Sequence, residues 1–279
     1  MFVVAGGFFV VLLFVVPHGG FALLAACSVA AAAIGALETG ALLAASGRPP
    51  APSVAAVCGA ALPAAAYVDN MVPELAERSG GLLLVAVAGL LVAVVVSGAL
   101  AAATGRRPLK SLAGRSAATA FAAVYPALGI AFVVKLASFP EAQWVFLLFF
   151  VAVFANDTAA YVFGSLARGR TRLGMPVSPN KTLIGYLAGL AASIAAVLAL
   201  RSLLAPPASF SPSAGLLAGA ALGVVAPAGD LFASALKRSA GVKDSGTLIP
   251  GRGGLLDSID SLLPTAPLFY YFLILTTSS

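Results

Sequence analysis

Residues 144–163 read WVFLLFFVAVFANDTAAYVF. Twenty residues of helix reach about 30 Å, the thickness of a bilayer's hydrocarbon core. Only Asn156, Asp157 and Thr158 interrupt the apolar run. A hydrogen bond between helices needs Asn156 alone. A carboxylate beside it, at membrane depth, is costly and is kept for a partner or an ion. The stretch therefore reads as a membrane-spanning helix with an oxygen-rich functional patch.

The rest of the chain repeats this pattern. Nine apolar segments lie at 2–16, 21–45, 52–67, 82–103, 117–134, 144–163, 183–204, 214–235 and 264–277. Of the 279 residues, 61% are hydrophobic and 9% charged, and the mean hydropathy is +1.04. A water-soluble domain needs far more surface charge. The expectation is an all-α polytopic integral membrane protein with about nine transmembrane helices. The first segment is short for a span, and it either tilts into the membrane or forms a hairpin with the second across Pro17–Gly20. Residues 1–135 form about five spans, acting as scaffold and as dimer and lipid-facing part. Residues 136–279 form about four spans with motif-bearing loops, the catalytic region.

The excess of basic residues, a net charge of +6, orients the chain in a membrane, and no nucleic-acid partner is expected. Arg48, then Arg106, Arg107, Lys110 and Arg115, then Arg168, Arg170, Arg172 and Lys181, then Lys237, Arg238, Lys243 and Arg252 fall in alternate loops. Together they make thirteen of the sixteen Lys and Arg residues. Arg78, Lys135 and Arg201 fall on the other side. The N-terminus and the basic loops are placed in the cytoplasm and the C-terminus opposite. Nothing at the N-terminus has the basic start of a cleavable targeting peptide. Cys27 and Cys58 lie in small-residue segments and read as packing residues. His18 is the only histidine, so no His-based metal or acid–base cluster is expected.

Gly185 and Gly189, and Gly215, Gly219 and Gly223, recur every four residues, a spacing that lets helix backbones approach closely in lipid. No internal repeat is evident. The first half is nearly free of intramembrane acids. Asp157, Asp230, Asp244, Asp257 and Asp260 are the only acids after Glu141. That asymmetry argues against an inverted-repeat transporter.

Two further clusters carry chemistry. The first is Ser178-Pro179-Asn180-Lys181-Thr182, ahead of the seventh segment. Ser or Asn caps an incoming helix, and for Ser178 that role is as good a reading as function. A lysine there opposes the helix dipole unless an anion is bound. The second spans 229–261: Gly229-Asp230, Ser234, Lys237-Arg238, Lys243-Asp244-Ser245, Pro250-Gly251-Arg252-Gly253-Gly254, and Asp257-Ser258-Ile259-Asp260. Asp230 and Lys237 are two helical turns apart, and Asp257 and Asp260 are on one helix face. Carboxylate oxygens suit Mg²⁺, lysine and arginine suit phosphate, and glycine admits a ligand close to the backbone. The composition is that of a polyphosphate–Mg²⁺ site at a membrane surface.

The second cluster resembles the signature of the CDP-diacylglycerol synthase (phosphatidate cytidylyltransferase) family. Ser234, Lys237, Arg238, Lys243, Asp244, Ser245, Pro250, Gly251, Gly253, Gly254, Asp257 and Asp260 match it in order and spacing. Gly229-Asp230, Asn156-Asp157 with Ala160-Tyr161, and the 178–182 run also look like family motifs. The resemblance is good over 144–263 and rests on hydropathy alone before that. Arg252 stands where the family has His, Ser258 where it has Arg, and Ile184 where many members have Glu. These departures leave open weakened catalysis, a changed substrate, or compensation by Arg252.

The resemblance implies transfer of CMP from CTP to phosphatidate, giving CDP-diacylglycerol and pyrophosphate in phospholipid biosynthesis. Asp230 and Asp257 would be the leading Mg²⁺ ligands. Asp157, Asp244 and Asp260 would share metal binding or hold basic residues. One or two divalent ions are implied, and a monovalent cation stays open. Lys181, Lys237, Arg238 and Lys243 would bind phosphates. Ser234 and Asn156 would orient these groups, with Ser178, Asn180, Thr182, Gly253 and Gly254 lining the substrates. The resemblance also implies a homodimer in a bacterial inner membrane, with its site facing the cytoplasm. The rivals are a cytidylyltransferase or kinase for another lipid acceptor, a cation- or proton-coupled transporter, and an inactive paralogue.

Overall fold

The computed structural model describes residues 22–74, 81–104, 111–167, 171–204 and 210–277. Among the described residues nine α-helices follow one another: α1 (Ala22–Ala45), α2 (Pro52–Met71), α3 (Leu82–Ala103), α4 (Leu112–Lys135), α5 (Ala142–Leu166), α6 (Leu183–Leu204), α7 (Pro212–Ser239), α8 (Leu256–Ile259) and α9 (Leu262–Thr277). Among the described residues there is no extended strand, only three isolated bridges in turns. Among the described residues eight helical stretches are long and apolar enough to cross a membrane. The chain is an all-α polytopic integral membrane protein. The expected ninth segment, 2–16, lies outside the described residues, as do His18, Arg78, Arg106, Arg107, Lys110, Arg168 and Arg170.

The chain divides into two compact units and passes from one to the other after Lys135, within α7 after Ala235, and after Ile259. The first holds Leu136–Ala235 and Asp260–Ser279, and the second Phe21–Lys135 and Leu236–Ile259.

The second unit is built on alanine. Ala32 and Ala36 of α1, Ala55 and Ala66 of α2, and Ala122 and Ala127 of α4 are wholly buried. Side chains this small let helices meet at backbone distance, where packing and not hydrophobic transfer drives association in lipid. At Gly59 a Cβ would stand 3.3 Å from the Ala123 carbonyl oxygen. By contrast α3 exposes Leu84, Leu91, Val92, Val95 and Leu100, an apolar flank suited to lipid. The start of α3 is tied down by an acid. Asp69 accepts from Leu82 N–H at 2.6 Å and Leu83 N–H at 3.2 Å, and lies 3.6 Å from Lys135 Nζ at the end of α4. The carboxylate serves as a remote N-cap, filling orphan donors at a helix start.

The first unit packs differently. Phe146, Phe149, Phe150 and Phe269 are fully buried, and Phe149 stacks on Phe269 at 5.5 Å between α5 and α9. α6 presses on α5 through its glycines. A Cβ at Gly185 would stand 2.6 Å from the Ala160 carbonyl, and one at Gly189 2.9 Å from that of Asn156. Gly219 meets Ile194 Cα in the same way at 2.6 Å. The four-residue glycine spacing thus marks real close approach.

Asp69→Ala removes both N-cap bonds and leaves Lys135 without its buried counterion. The expected cost is about 3 kcal/mol, read as a lower thermal midpoint of the purified protein in detergent. An unchanged midpoint would show that the pair is inert.

Candidate active site

In the first unit several of the candidate residues gather where α6 begins. Thr182 is the N-cap: its Oγ1 accepts from Gly185 N–H at 3.0 Å. The cap expected of Ser178 is therefore made four residues later. Ser178 instead sits in a turn, its N–H on the Met175 carbonyl at 3.1 Å and its carbonyl taking Lys181 N–H at 3.3 Å. Asn180 is exposed beside it. Lys181 has the anion its position demands, because Asp230 Oδ2 of α7 lies 2.7 Å from its Nζ. Ser234, one turn on, donates to Asp230 Oδ1 at 3.5 Å. The lysine and aspartate side chains keep 24% and 37% of their surface exposed, so this pair is open to exchange with a ligand.

Deeper in the unit, Asn156 is almost wholly buried and donates from Nδ2 to the Gly223 carbonyl at 3.1 Å. Its role is to tie α5 to α7. Asp157 is half-buried on the next position of α5. Asp260 is buried just ahead of α9, accepting from the neighbouring Ser261 N–H at 2.7 Å. Gly229 lets this corner close, since a Cβ there would strike the Asp260 carbonyl and stand 2.8 Å from Pro264 Cγ.

In the second unit the centre is Asp257, in the short helix α8. Oδ1 pairs with Lys237 Nζ at 2.5 Å. Oδ2 accepts from Ser245 N–H at 2.8 Å, Ser245 Oγ at 2.9 Å and Gly254 N–H at 2.8 Å. Gly253 makes room for it with φ +104°, and a Cβ there would stand 2.5 Å from Asp257 Oδ2. Asp244 is exposed, its Cβ against Gly253. Arg238 donates to the Val242 carbonyl at 3.1 Å. Lys243 is exposed and Arg252 half-exposed. Neither pairs with a described acid, so both remain available to an anion.

Asp257 and Asp260 are three residues apart but belong to different units, since α8 ends at Ile259. Asp230 and Lys237, two turns apart on α7, each pair elsewhere, with Lys181 and Asp257.

The sequence reading missed one acid at this site. Glu38 lies inside α1, in the half expected to be nearly free of intramembrane carboxylates. It accepts from Leu255 N–H and Leu256 N–H, each at 2.8 Å, and from Ser245 Oγ at 3.0 Å. A charged residue in an alanine-rich span was the available signal.

As a test for a divalent ion, the donor set is right in kind: hard carboxylate oxygens with hydroxyls beside them. In each unit a lysine ammonium now stands against the carboxylate where a cation would. Among the described residues no three His, Cys, Asp or Glu side chains are grouped to hold a metal. The acids thus fit as single ligands, with the remaining positions left to water or substrate oxygens.

The sequence model described as the cytidylyltransferase family matches residues 1–276. The chain is 46% identical over 119 residues to the uncharacterized protein YnbB of Escherichia coli, covering 43% of this chain and 39% of YnbB. It is 45% identical over 139 residues to the phosphatidate cytidylyltransferase of Synechocystis, covering 50% of this chain and 46% of that protein. It is 38% identical over 193 residues to the phosphatidate cytidylyltransferase of Brucella suis, covering 69% of each. The matched stretch is thus less than half the length of the first two relatives.

Gly229→Ala forces a methyl into the Asp260 corner. The expected outcome is an overpacking cost of about 1–3 kcal/mol, seen as a lower thermal midpoint. A neutral result would show that α9 shifts freely.

Proposed function

The chain belongs to the cytidylyltransferase family, and on that premise we propose that it makes CDP-diacylglycerol from phosphatidate and CTP. A phosphate oxygen of phosphatidate attacks the α-phosphorus of CTP. The bond from that phosphorus to the β-phosphate's bridging oxygen breaks, and pyrophosphate leaves with the electron pair. The nucleophile is already anionic, so no general base is needed. The barrier is the meeting of two anions, and fixed positive charge lowers it.

The observation that carries the reading is Lys237 locked on Asp257 within a glycine-rich turn, beside Lys243 and Arg252 that pair with no described acid. Lysines held this way are aimed before substrate arrives. Lys181 in the first unit and Lys237 in the second each change partner from carboxylate to phosphate, and within the second unit Lys243, Arg238 and Arg252 add further positive charge. Ser234 steadies Asp230, and Asn156 ties α5 to α7 within the first unit. The reaction is taken to depend on Mg²⁺, with Asp230 and Asp257 as leading ligands and Asp157 and Asp260 as further ones. Bound there, the ion would neutralise triphosphate charge. We also place the protein in the bacterial inner membrane as a homodimer, with these loops in the cytoplasm. A cation transporter is disfavoured because lysines stand against the very acids that would carry the ion.

The test is pyrophosphate release by purified protein with CTP, phosphatidate and Mg²⁺. Release requiring both substrates, lost with EDTA and restored by Mg²⁺, is the expected result. Release with another lipid acceptor alone would overturn the substrate, and no release from folded protein would overturn the activity. Asp257→Asn is expected to lower turnover about 100-fold or more, since the amide cannot balance Lys237. Near-normal turnover would remove Asp257 from the machinery.

A further inference from the structure

Glu38 occupies the α1 stretch that crosses the membrane, where a carboxylate survives only if its oxygens are met. Its donors come from the loop 207 to 218 residues downstream: Ser245 Oγ, and the successive N–H groups of Leu255 and Leu256. Leu256 is fully buried and Ser245 nearly so, so water is a poor substitute for these bonds. The two glycines beside the carboxylate leave it no slack. A Cβ at Gly246 would stand 2.9 Å from Glu38 Oε1, and one at Gly254 2.6 Å from Oε2.

These donors are neighbours of those that hold Asp257. Gly254 N–H, which binds Asp257 Oδ2, is one peptide from Leu255 N–H, which binds Glu38. Ser245 gives its N–H to Asp257 and stands with its single hydroxyl proton between the two carboxylates, 2.9 Å from Asp257 Oδ2 and 3.0 Å from Glu38 Oε2. We propose that Glu38 is a positioning residue for group transfer. From α1 it fixes Ser245 and the 254–256 turn so that Asp257 and Lys237 present their charges in one arrangement. The catalytic part of this role rests on the cytidylyl-transfer reading. The structural part stands without it.

The experiment uses the full chain in detergent, comparing wild type with Glu38→Ala, Glu38→Gln, Glu38→Asp and Gly254→Ala. Amide hydrogen exchange is followed alongside kcat and KM for CTP. Glu38→Ala and Glu38→Gln are expected to speed exchange across 253–257 by about tenfold or more while α2–α4 keep their protection. The expected fall in kcat is on the order of 100-fold, the effect of an ångström of misplacement. KM for CTP should change by less than roughly threefold, because both Glu38 oxygens are already taken by Ser245, Leu255 and Leu256. Glu38→Asp should recover part of kcat, and Gly254→Ala should behave like Glu38→Ala. Unchanged exchange at 253–257 overturns the proposal, and so does a loss of protection spread evenly over α1–α4. A wild type that releases no pyrophosphate would defeat the functional reading alone, and the exchange comparison would then decide the role of Glu38.

Discussion

A carboxylate carried into an apolar helix bundle must be met by donors, and this protein is organised around how its acids are met. Asp69, Asp230 and Asp257 each take a lysine. Glu38 and Asp260 take backbone N–H groups, as do Asp69 and Asp257 in addition. Exposure separates the kinds of pair. Asp69 is 2% exposed at its side chain and has no access to a ligand, so its pairing is architectural. Asp230 at 37% can trade its lysine for something else. Asp257 at 7% lies between, well satisfied yet next to exposed cations. A buried pair seldom adds net stability over apolar packing. Acids retained in the less enclosed positions therefore point to chemistry.

The two units reach tight packing by opposite routes. Alanine and glycine bring α1, α2 and α4 to backbone distance, while phenylalanine fills the space between α5 and α9. The close approach of α6 to α5 has a chemical consequence. It sets Thr182 and Lys181 at the start of α6 with no intervening bulk, so that Lys181 reaches Asp230 on α7. The small residues are the reason the site residues meet.

Much of this was legible in the sequence because hydropathy and motif spacing are local. Apart from the first apolar segment, every segment has its helix, and the largest displacement of an end is at α4. That helix starts at Leu112 and not 117, because a helix continues through Arg115 where the apolar run does not. The anion demanded by Lys181 was also legible, though not its identity, since Asp230 is 49 residues away. The role of Glu38 was not legible beyond the oddity of a charge in an alanine-rich span. Its partners are chiefly backbone N–H groups, which carry no residue identity, and its separation from them leaves no spacing to read. The cap at Thr182 was misplaced to Ser178 because both residues are good caps and only the turn decides between them.

The bond between Glu38 and the 254–256 turn ties an early span to a late one, and this orders the assembly of the protein during its synthesis. α1 leaves the ribosome with an acid that has no donors until more than two hundred further residues have followed. Until then the carboxylate lacks the partners that meet it in the folded chain. The turn in its finished form can arise only after nearly all the spans are in place. A half-made chain therefore never carries the finished turn, and the arrangement around Asp257 is among the last parts of the protein to form.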